Sequence, residues 1–349
     1  MTDRTERRGA VICGACGMGN AGDDAVLAAI TAALRKLDGQ LPITVMARRP
    51  RETAKRFGVT AVHPLRPLKW LYAMRASALF ISGGGSLLQD VTSRRSLWYY
   101  LATIRLAKKC GCAVQLYGCG IGPLMRGRSR AETARVLNEC ADVVTVRDGD
   151  SLALLKELGV TEPRLLLAAD PALSLAAPRQ ERERRFGVVL RPWPSLWPQI
   201  PALARAVRYA YETYRLAPVF FCLAPGDREA AESVRAELDG IPCAVSVDSR
   251  RLGRMSLVLS MRLHGLIFAL RDGVPAAGIS YDPKVSSFCR EAGLPALPLE
   301  TADEAALCSL IDEAAHLDTE RLSESLAALR RREQANLAAA AQLMSERET

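Results

Sequence analysis

The sequence predicts an α/β protein of two lobes, each built on a mainly parallel sheet covered by helices. Three observations lead there. The chain has 349 residues, long for one core and suited to two domains of roughly 150 residues each. Short apolar runs of strand length alternate with longer helical segments, the rhythm of strand–helix–strand crossovers. Hydrophobic residues make up 49% of the chain but aromatic ones only 5%, so core material is chiefly aliphatic, as helices packed on sheets require.

Taken in order, the first lobe should place strands at 10–14, 43–47, 78–82, 113–117, 143–147 and 165–168. Helices are expected at 24–37, from Ser86 onward, and at 97–109, 130–140 and 151–158. Pro171, Pro178 and the charged run 180–185 read as a linker, which sets the first domain at residues 1–178 and the second at 179–302. The second lobe opens with a strand at 186–191, a Trp/Pro loop and a helix at 202–214. Strands follow at 219–223, 244–247, 257–260 and 276–280. Residues 303–349 are rich in Ala, Leu, Glu and Arg and should form one or two helices packed on the lobes.

No apolar run approaches the roughly 20 residues that span a bilayer. The charged start is followed by too short an apolar run for a signal peptide, so a cytoplasmic protein is expected. Ten cysteines in mostly apolar contexts then read as reduced core and loop residues. Cys13 and Cys16 have C-x-x-C spacing but no second pair or nearby histidine to complete a zinc site. No His/carboxylate cluster has ligand spacing either, so no metal is expected. The net charge of +9 favours anionic partners, while no zinc finger, RNA-binding aromatic pattern or basic zipper supports nucleic acid.

Parallel sheets place ligands at the carboxyl ends of their strands, and four motifs follow predicted strands. In the segment 14–24, glycines allow a tight turn, and Asn20 and Asp23 offer hydrogen bonds to a polyhydroxylated or anionic ligand, Asp23 also as a base. The plainer alternative is a turn with Asp23 or Asp24 capping the next helix. In Ser82-Gly83-Gly84-Gly85-Ser86-Leu87-Leu88-Gln89-Asp90, glycines at a helix start would expose N–H groups to a phosphate or carboxylate, with Gln89 and Asp90 one turn on. Close backbone packing is the alternative there. Of the three histidines, His63, His264 and His316, only His264 sits at a strand end, beside Arg262. Its imidazole suits proton transfer near neutral pH, and the guanidinium needs an anion or a partner. Arg191 and Lys284, each after another strand of the same lobe, add cations for a bound anion. The residues alone thus point to a metal-free site for a phosphorylated or carboxylated substrate in a cleft between the lobes.

These motifs, joined in order by Gly120-Ile121-Gly122-Pro123, Arg147-Asp148-x-x-Ser151 and Asp170-Pro171, resemble the polysaccharide pyruvyl transferases over roughly residues 10–300. The likeness is to the bacterial cell-surface type in particular. It implies two Rossmann-like, GT-B-like lobes and transfer of pyruvate from phosphoenolpyruvate to two sugar hydroxyls as a cyclic ketal, releasing phosphate, with no cofactor. For the S-layer-linked members it implies a lipid-linked acceptor containing N-acetylmannosamine, from a secondary cell-wall polymer. The family's Arg-x-His motif falls on Arg262 and His264, which implies His264 as general acid or base and Arg262 as the group stabilising departing phosphate. Asp23 would serve a hydroxyl. Arg191 and Lys284 would bind donor, while Asn20, Gly84, Gly85, Gln89 and Asp90 line the substrate site. A lipid-linked acceptor and surplus arginine are compatible with peripheral contact at the inner face of the membrane, and self-association stays open. The rival readings are a nucleotide-sugar-dependent GT-B glycosyltransferase and a non-catalytic homologue acting as a partner protein.

Overall fold

A computed structural model describes residues 7–176 and 180–346, so the expected domain boundary at 178/179 lies outside the described residues. The chain forms two compact units. One comprises Met1–Met18, Asp23–Leu175 and Arg330–Thr349; the other comprises Gly19–Gly22 and Ala176–Leu329.

In the first unit, β1 (Ala10–Cys13), α1 (Ala21–Leu37), β2 (Ile43–Met46), α2 (Pro50–Phe57), β3 (Thr60–Val62) and α3 (Pro67–Ala76) follow one another. Then come β4 (Leu79–Gly83), α4 (Arg94–Lys109), β5 (Ala113–Cys119), α5 (Gly127–Cys140), β6 (Val143–Val146), α6 (Gly149–Glu157) and β7 (Arg164–Leu167). The strands make one parallel sheet in the order β3-β2-β1-β4-β5-β6-β7. Strands β4 and β5 are buried along their whole length, which is why they read as unbroken apolar runs rather than alternating ones.

In the second unit, β8 (Arg185–Val189), α7 (Ile200–Tyr214), β9 (Ala217–Phe221), α8 (Asp227–Arg235), β10 (Ala244–Ser246) and β11 (Leu257–Ser260) come first. They are followed by α9 (Leu263–Arg271), β12 (Ala276–Ser280), α10 (Pro283–Ala292), β13 (Ala296–Pro298) and α11 (Glu304–Ala315). This sheet is also parallel, ordered β10-β9-β8-β11-β12-β13. Leu307, Leu310, Ile311 and Ala314 of α11 join its core. The last helix, α12 (Thr319–Ser345), contributes its residues from Arg330 onward to the first unit. There Arg332 donates to the carbonyl of Ala168 and Asn336 to that of Ala169.

Each sheet reverses its strand order once: between β1 and β4 in the first, between β8 and β11 in the second. At such a point adjacent crossovers run to opposite faces and leave a crevice at the carboxyl edge. Both glycine motifs follow β1 and β4. Arg191 and Arg262 follow β8 and β11.

One expected element differs. No helix starts at Ser86; α4 begins at Arg94, capped by Ser93, whose hydroxyl accepts from Ser96 N at 3.2 Å. The intervening loop is tied instead to the 120–123 segment. Gly120 N donates to Gly85 O (3.2 Å), Gly122 N to Leu88 O (2.7 Å) and Asp90 N to Pro123 O (3.2 Å). Two motifs separated by 30 residues thus satisfy each other's backbone groups.

Candidate functional site

The glycine loops of the first unit come together at the carboxyl edge of β1 and β4. A Cβ on Gly84 would lie 2.3 Å from Val26 Cγ1 of α1, and Gly84 and Gly85 have φ of +80° and +77°. The loop therefore needs glycine both for its conformation and for its approach to the helix. At Gly85 a Cβ would face only the Asp23 carboxylate, 3.3 Å from Oδ1. Asp23, half-buried in the first turn of α1, lines a tight recess with Cys16, Leu27, Gly83 and Gly84 that has no room for a water molecule.

Gln89 and Asp90 serve the loop itself. Gln89 Oε1 accepts from Val91 N and Thr92 N at 2.9 and 3.0 Å. Asp90 is buried and accepts from Met125 N (2.7 Å) and Arg126 N (3.2 Å). Burial alone would raise its pKa, but these bonds, one from Ser129 and the nearby Arg126 charge hold the carboxyl below its ordinary value. The remaining motif residues of this unit form a buried polar cluster. Arg147 Nη1 pairs with Asp170 at 3.2 Å and Nη2 donates to Ser86 Oγ at 3.0 Å. Asp148 caps α6 through Ser151 N, and Ser151 Oγ accepts from Ile121 N. Cys13 and Cys16 are buried thiols; burial pushes Cys13 up to about 11 and raises Cys16 further, so neither is poised as a thiolate.

The second unit carries the cationic residues. Arg262 ends the β11 loop at the start of α9, and its Nε donates to Asp227 Oδ2 at 2.7 Å while Nη2 donates to Oδ1. The Asp227 side chain is fully buried at the start of α8 and also accepts from Leu223 N (3.0 Å) and Ala224 N (2.9 Å). The fork fixes one edge of the guanidinium, and Nη1 makes no hydrogen bond among the described residues. His264, half-buried one turn into the same junction, packs 6.0 Å from the Phe268 ring. The turn Gly19–Gly22 belongs to this unit. Ala21 N donates to Leu223 O at 2.8 Å, and a Cβ on Gly22 would fall 2.1 Å from His264 Nδ1. Only glycine lets the imidazole lie there. In the same turn Asn20 Oδ1 accepts from Gly22 N at 3.0 Å, capping α1.

Arg191, Trp193, Tyr281 and Lys284 form a second group after β8 and β12. Arg191 Nη1 donates to the Tyr281 hydroxyl at 2.6 Å, and its guanidinium carbon sits 5.3 and 5.0 Å from the centroids of Trp193 and Tyr281. The two rings are 4.9 Å apart. Lys284 Nζ lies 5.6 Å from the Tyr281 centroid and pairs with Asp282 at 2.8 Å. Two cations thus flank one aromatic ring, half-exposed, beside Arg262's strand.

Within the second unit the structure gathers Asn20, Arg191, Arg262, His264 and Lys284 on loops and helix starts at one sheet edge; within the first it sets Asp23, Gly84 and Gly85 together. Asp227, Trp193 and Tyr281 carry no role in the sequence reading. The signal for Asp227 was its place after Pro225-Gly226, in the same strand–loop–helix position as the other motifs. Among the described residues no three His, Cys, Asp or Glu side chains gather as a metal site.

A family model described as polysaccharide pyruvyl transferase matches residues 20–283. No curated protein matches the chain in sequence. Among solved structures, HepE of Anabaena in complex with UDP superposes with a TM-score of 0.64 at 12% identity, covering 97% of this chain and 100% of that one. The putative UDP-N-acetylglucosamine 2-epimerase from Listeria monocytogenes gives 0.63 at 12% identity and 91% of each chain. The UDP-GlcNAc 2-epimerase of Methanocaldococcus jannaschii gives 0.62 at 13%, with 89% and 93% covered. At such identities the likeness is one of fold: the α/β, two-sheet architecture of GT-B glycosyltransferases and these epimerases.

Proposed function

This chain belongs to the polysaccharide pyruvyl transferase family, and from that premise we propose that it transfers pyruvate from phosphoenolpyruvate to two hydroxyls of a sugar in a cell-wall polysaccharide precursor. The acceptor is a lipid-linked saccharide containing N-acetylmannosamine, as in the S-layer-linked branch, and the reaction takes place in the cytoplasm. The observation that carries the reading is the Arg262–His264 pair at the β11–α9 junction, inside the family match.

The chemistry asks for three proton transfers and one leaving group. A first sugar oxygen bonds to C2 of the donor while the methylene carbon takes a proton, and the hydroxyl proton leaves to a base. A second sugar hydroxyl then loses its proton to a base and its oxygen bonds to C2 as the C2–O bond to phosphate breaks, and phosphate departs with the bridging oxygen. His264 is assigned the proton transfer, because an imidazole gives and takes protons near neutral pH. Arg262 meets charge on the departing phosphate through its Nη1 side, the edge left by the Asp227 fork. Arg191 and Lys284 hold the donor's anionic groups, and Asp23 takes a hydroxyl proton.

The test is phosphate release from phosphoenolpyruvate with a synthetic N-acetylmannosamine-containing acceptor, the product read by mass. His264→Ala should keep the wild-type melting curve and lose at least about 10²-fold in rate. Turnover of a UDP-sugar instead, with none of phosphoenolpyruvate, would refute the proposal in favour of glycosyl transfer. Retained phosphate release would remove His264 from the mechanism.

A further inference from the structure

Between residues 53 and 131 the chain carries thirteen Lys and Arg and a single acidic residue, Asp90: a net +12, against +9 for the whole protein. Asp90 is buried and committed to the backbone of Met125 and Arg126. This span builds β3 to β5 and their helices, and the reaction chemistry uses none of its basic residues.

Topology collects much of that charge on one rim of the first unit. Helices α3, α4 and α5 each follow a strand of the parallel sheet, and Met74, Leu97, Leu101, Val136 and Leu137 place all three in one core cluster on one face. Their amino-terminal ends therefore emerge side by side at the carboxyl edge of the strands. None has an acidic residue in its first turn, whereas α1, α2 and α6 do. Instead Arg66 precedes α3, Arg94 and Arg95 open α4, and Arg126 precedes α5. Cations at the positive end of a helix dipole are the unfavourable choice for an isolated protein. Arg66, Lys69, Arg94 and Arg95 are exposed, and none forms an ion pair among the described residues.

The same rim exposes apolar side chains. Among the described residues the four most exposed large hydrophobics are Leu65 (83%), Leu68 (80%), Tyr72 (77%) and Met125 (74%), and all four are here. Leu68 and Tyr72, four residues apart, share the outer face of α3, and Leu65 lies in the turn just before it. Val91, half-exposed, lies beside Met125, whose N–H Asp90 holds.

We infer that this rim docks the protein on an anionic lipid bilayer, with Leu65, Leu68, Tyr72 and Met125 entering the headgroup–acyl boundary and the surrounding Arg and Lys meeting lipid phosphates. Charge decides between occupants. A second copy would bring the same positive face against itself, and an acidic protein would satisfy the cations without requiring four protruding apolar groups. A bilayer surface supplies both negative charge and an apolar layer just beneath it. The Gly84–Gly85 loop follows β4 on the same strand edge, so a lipid-borne sugar would reach the first unit from the docked side. The docking itself does not depend on the pyruvyl-transfer reading.

Flotation of the full chain with phosphatidylcholine vesicles, with and without phosphatidylglycerol, tests it. Binding should require phosphatidylglycerol and weaken as salt rises. Each cation removed should cost about fivefold in partitioning, so Arg94→Gln with Arg95→Gln should lose roughly 25-fold. Leu65→Ser with Leu68→Ser should lose at least about tenfold, with melting curves unchanged for both pairs because the sites are exposed. The inference is overturned if the wild type floats no better with phosphatidylglycerol than without, or if both double variants bind as it does. A concentration-dependent dimer abolished by the leucine pair would assign the face to self-association instead.

Discussion

Removing the Asp227 carboxylate is the most informative single perturbation of the second unit. It accepts from Leu223 N at 3.0 Å, Ala224 N at 2.9 Å, Arg262 Nε at 2.7 Å and Arg262 Nη2. Its side chain is 0% exposed and that of Arg262 14%. Asp227→Ala leaves two amides and a mostly buried guanidinium without their acceptor, a loss of about 3–5 kcal/mol. At a few degrees per kcal/mol, the melting temperature should fall by roughly 8–15 °C. Asp227→Asn keeps the shape but sets an amide donor against the guanidinium, and should cost about 2–3 kcal/mol. Replacing both partners, Asp227→Leu with Arg262→Met, should recover the guanidinium's share of the loss but not that of the Leu223 and Ala224 amides, which stay without an acceptor. Urea unfolding followed by fluorescence reads these differences directly, provided the slope with denaturant stays constant. The reasoning fails if Asp227→Ala costs less than about 1 kcal/mol, or if the apolar pair is no more stable than the single variant. Activity separates position from fold: Asp227→Asn should lower the rate more than it raises the KM for phosphoenolpyruvate, because the guanidinium remains present but loses its orientation.

Three further outcomes follow from the same structure. Glu333 is buried near Tyr117, Asn336, Asp170 and Lys36, and burial raises its carboxyl from the ordinary 4.5 to about 7; the unfolded chain therefore gives up this proton first, and stability should fall as pH rises from about 4.5 to 7, by at most about 3 kcal/mol. Glu333→Gln should flatten that slope in urea titrations at pH 5 and 8 and leave the protein more stable than wild type at pH 8. Asp90→Ala should lose about 1–2 kcal/mol by freeing the Met125 and Arg126 amides, with the KM for phosphoenolpyruvate unchanged; a raised KM would return Asp90 to the substrate site. Arg191→Ala should weaken donor binding more than Lys284→Ala, because Lys284 is already paired with Asp282 whereas Arg191, among the described residues, meets only the Tyr281 hydroxyl and two rings; isothermal titration with phosphoenolpyruvate compares them.

The buried middle of each sheet was legible in the sequence because parallel strands covered on both faces are apolar throughout, as at 79–83 and 113–119. The outer strands were not. β3 (Thr60–Val62) and β13 (Ala296–Pro298) have three residues each, partly exposed, with too little apolar content to stand out. The expected helix at Ser86 failed for a tertiary reason: the backbone of 85–90 finds its partners in 120–123, a pairing that local propensity does not encode. Motif residues were found by their position after strands, but their roles split only in three dimensions. Arg147, Asp148, Ser151 and Asp170 carry the family pattern as strongly as Arg262 does, yet the structure commits them to one another. Asp227 escaped notice because a lone aspartate at a helix start is common, and only the Arg262 fork gives it significance.

Net charge read as one number merged two separate features of this molecule. The surplus of +9 pointed to anionic partners in general, but residues 53–131 alone supply +12. At the second unit's site, Arg262 is matched by Asp227 and Lys284 by Asp282, which leaves Arg191 as the cation there without a carboxylate partner among the described residues. A donor with a carboxylate and a phosphate of about −1.5 to −2 cannot be neutralised by that count. Its recognition would have to come from direction: the Nη1 side of a fixed guanidinium and the amide-bearing start of α9. Salt distinguishes the two features. Exposed rim cations act across water and are screened over about 8 Å at physiological ionic strength, whereas half-buried, oriented donors are screened far less. Raising salt should therefore strip the protein from anionic vesicles well before it raises the Kd for phosphoenolpyruvate. A parallel loss of both would mean that the rim's field, and not the geometry around Arg262, draws the donor in.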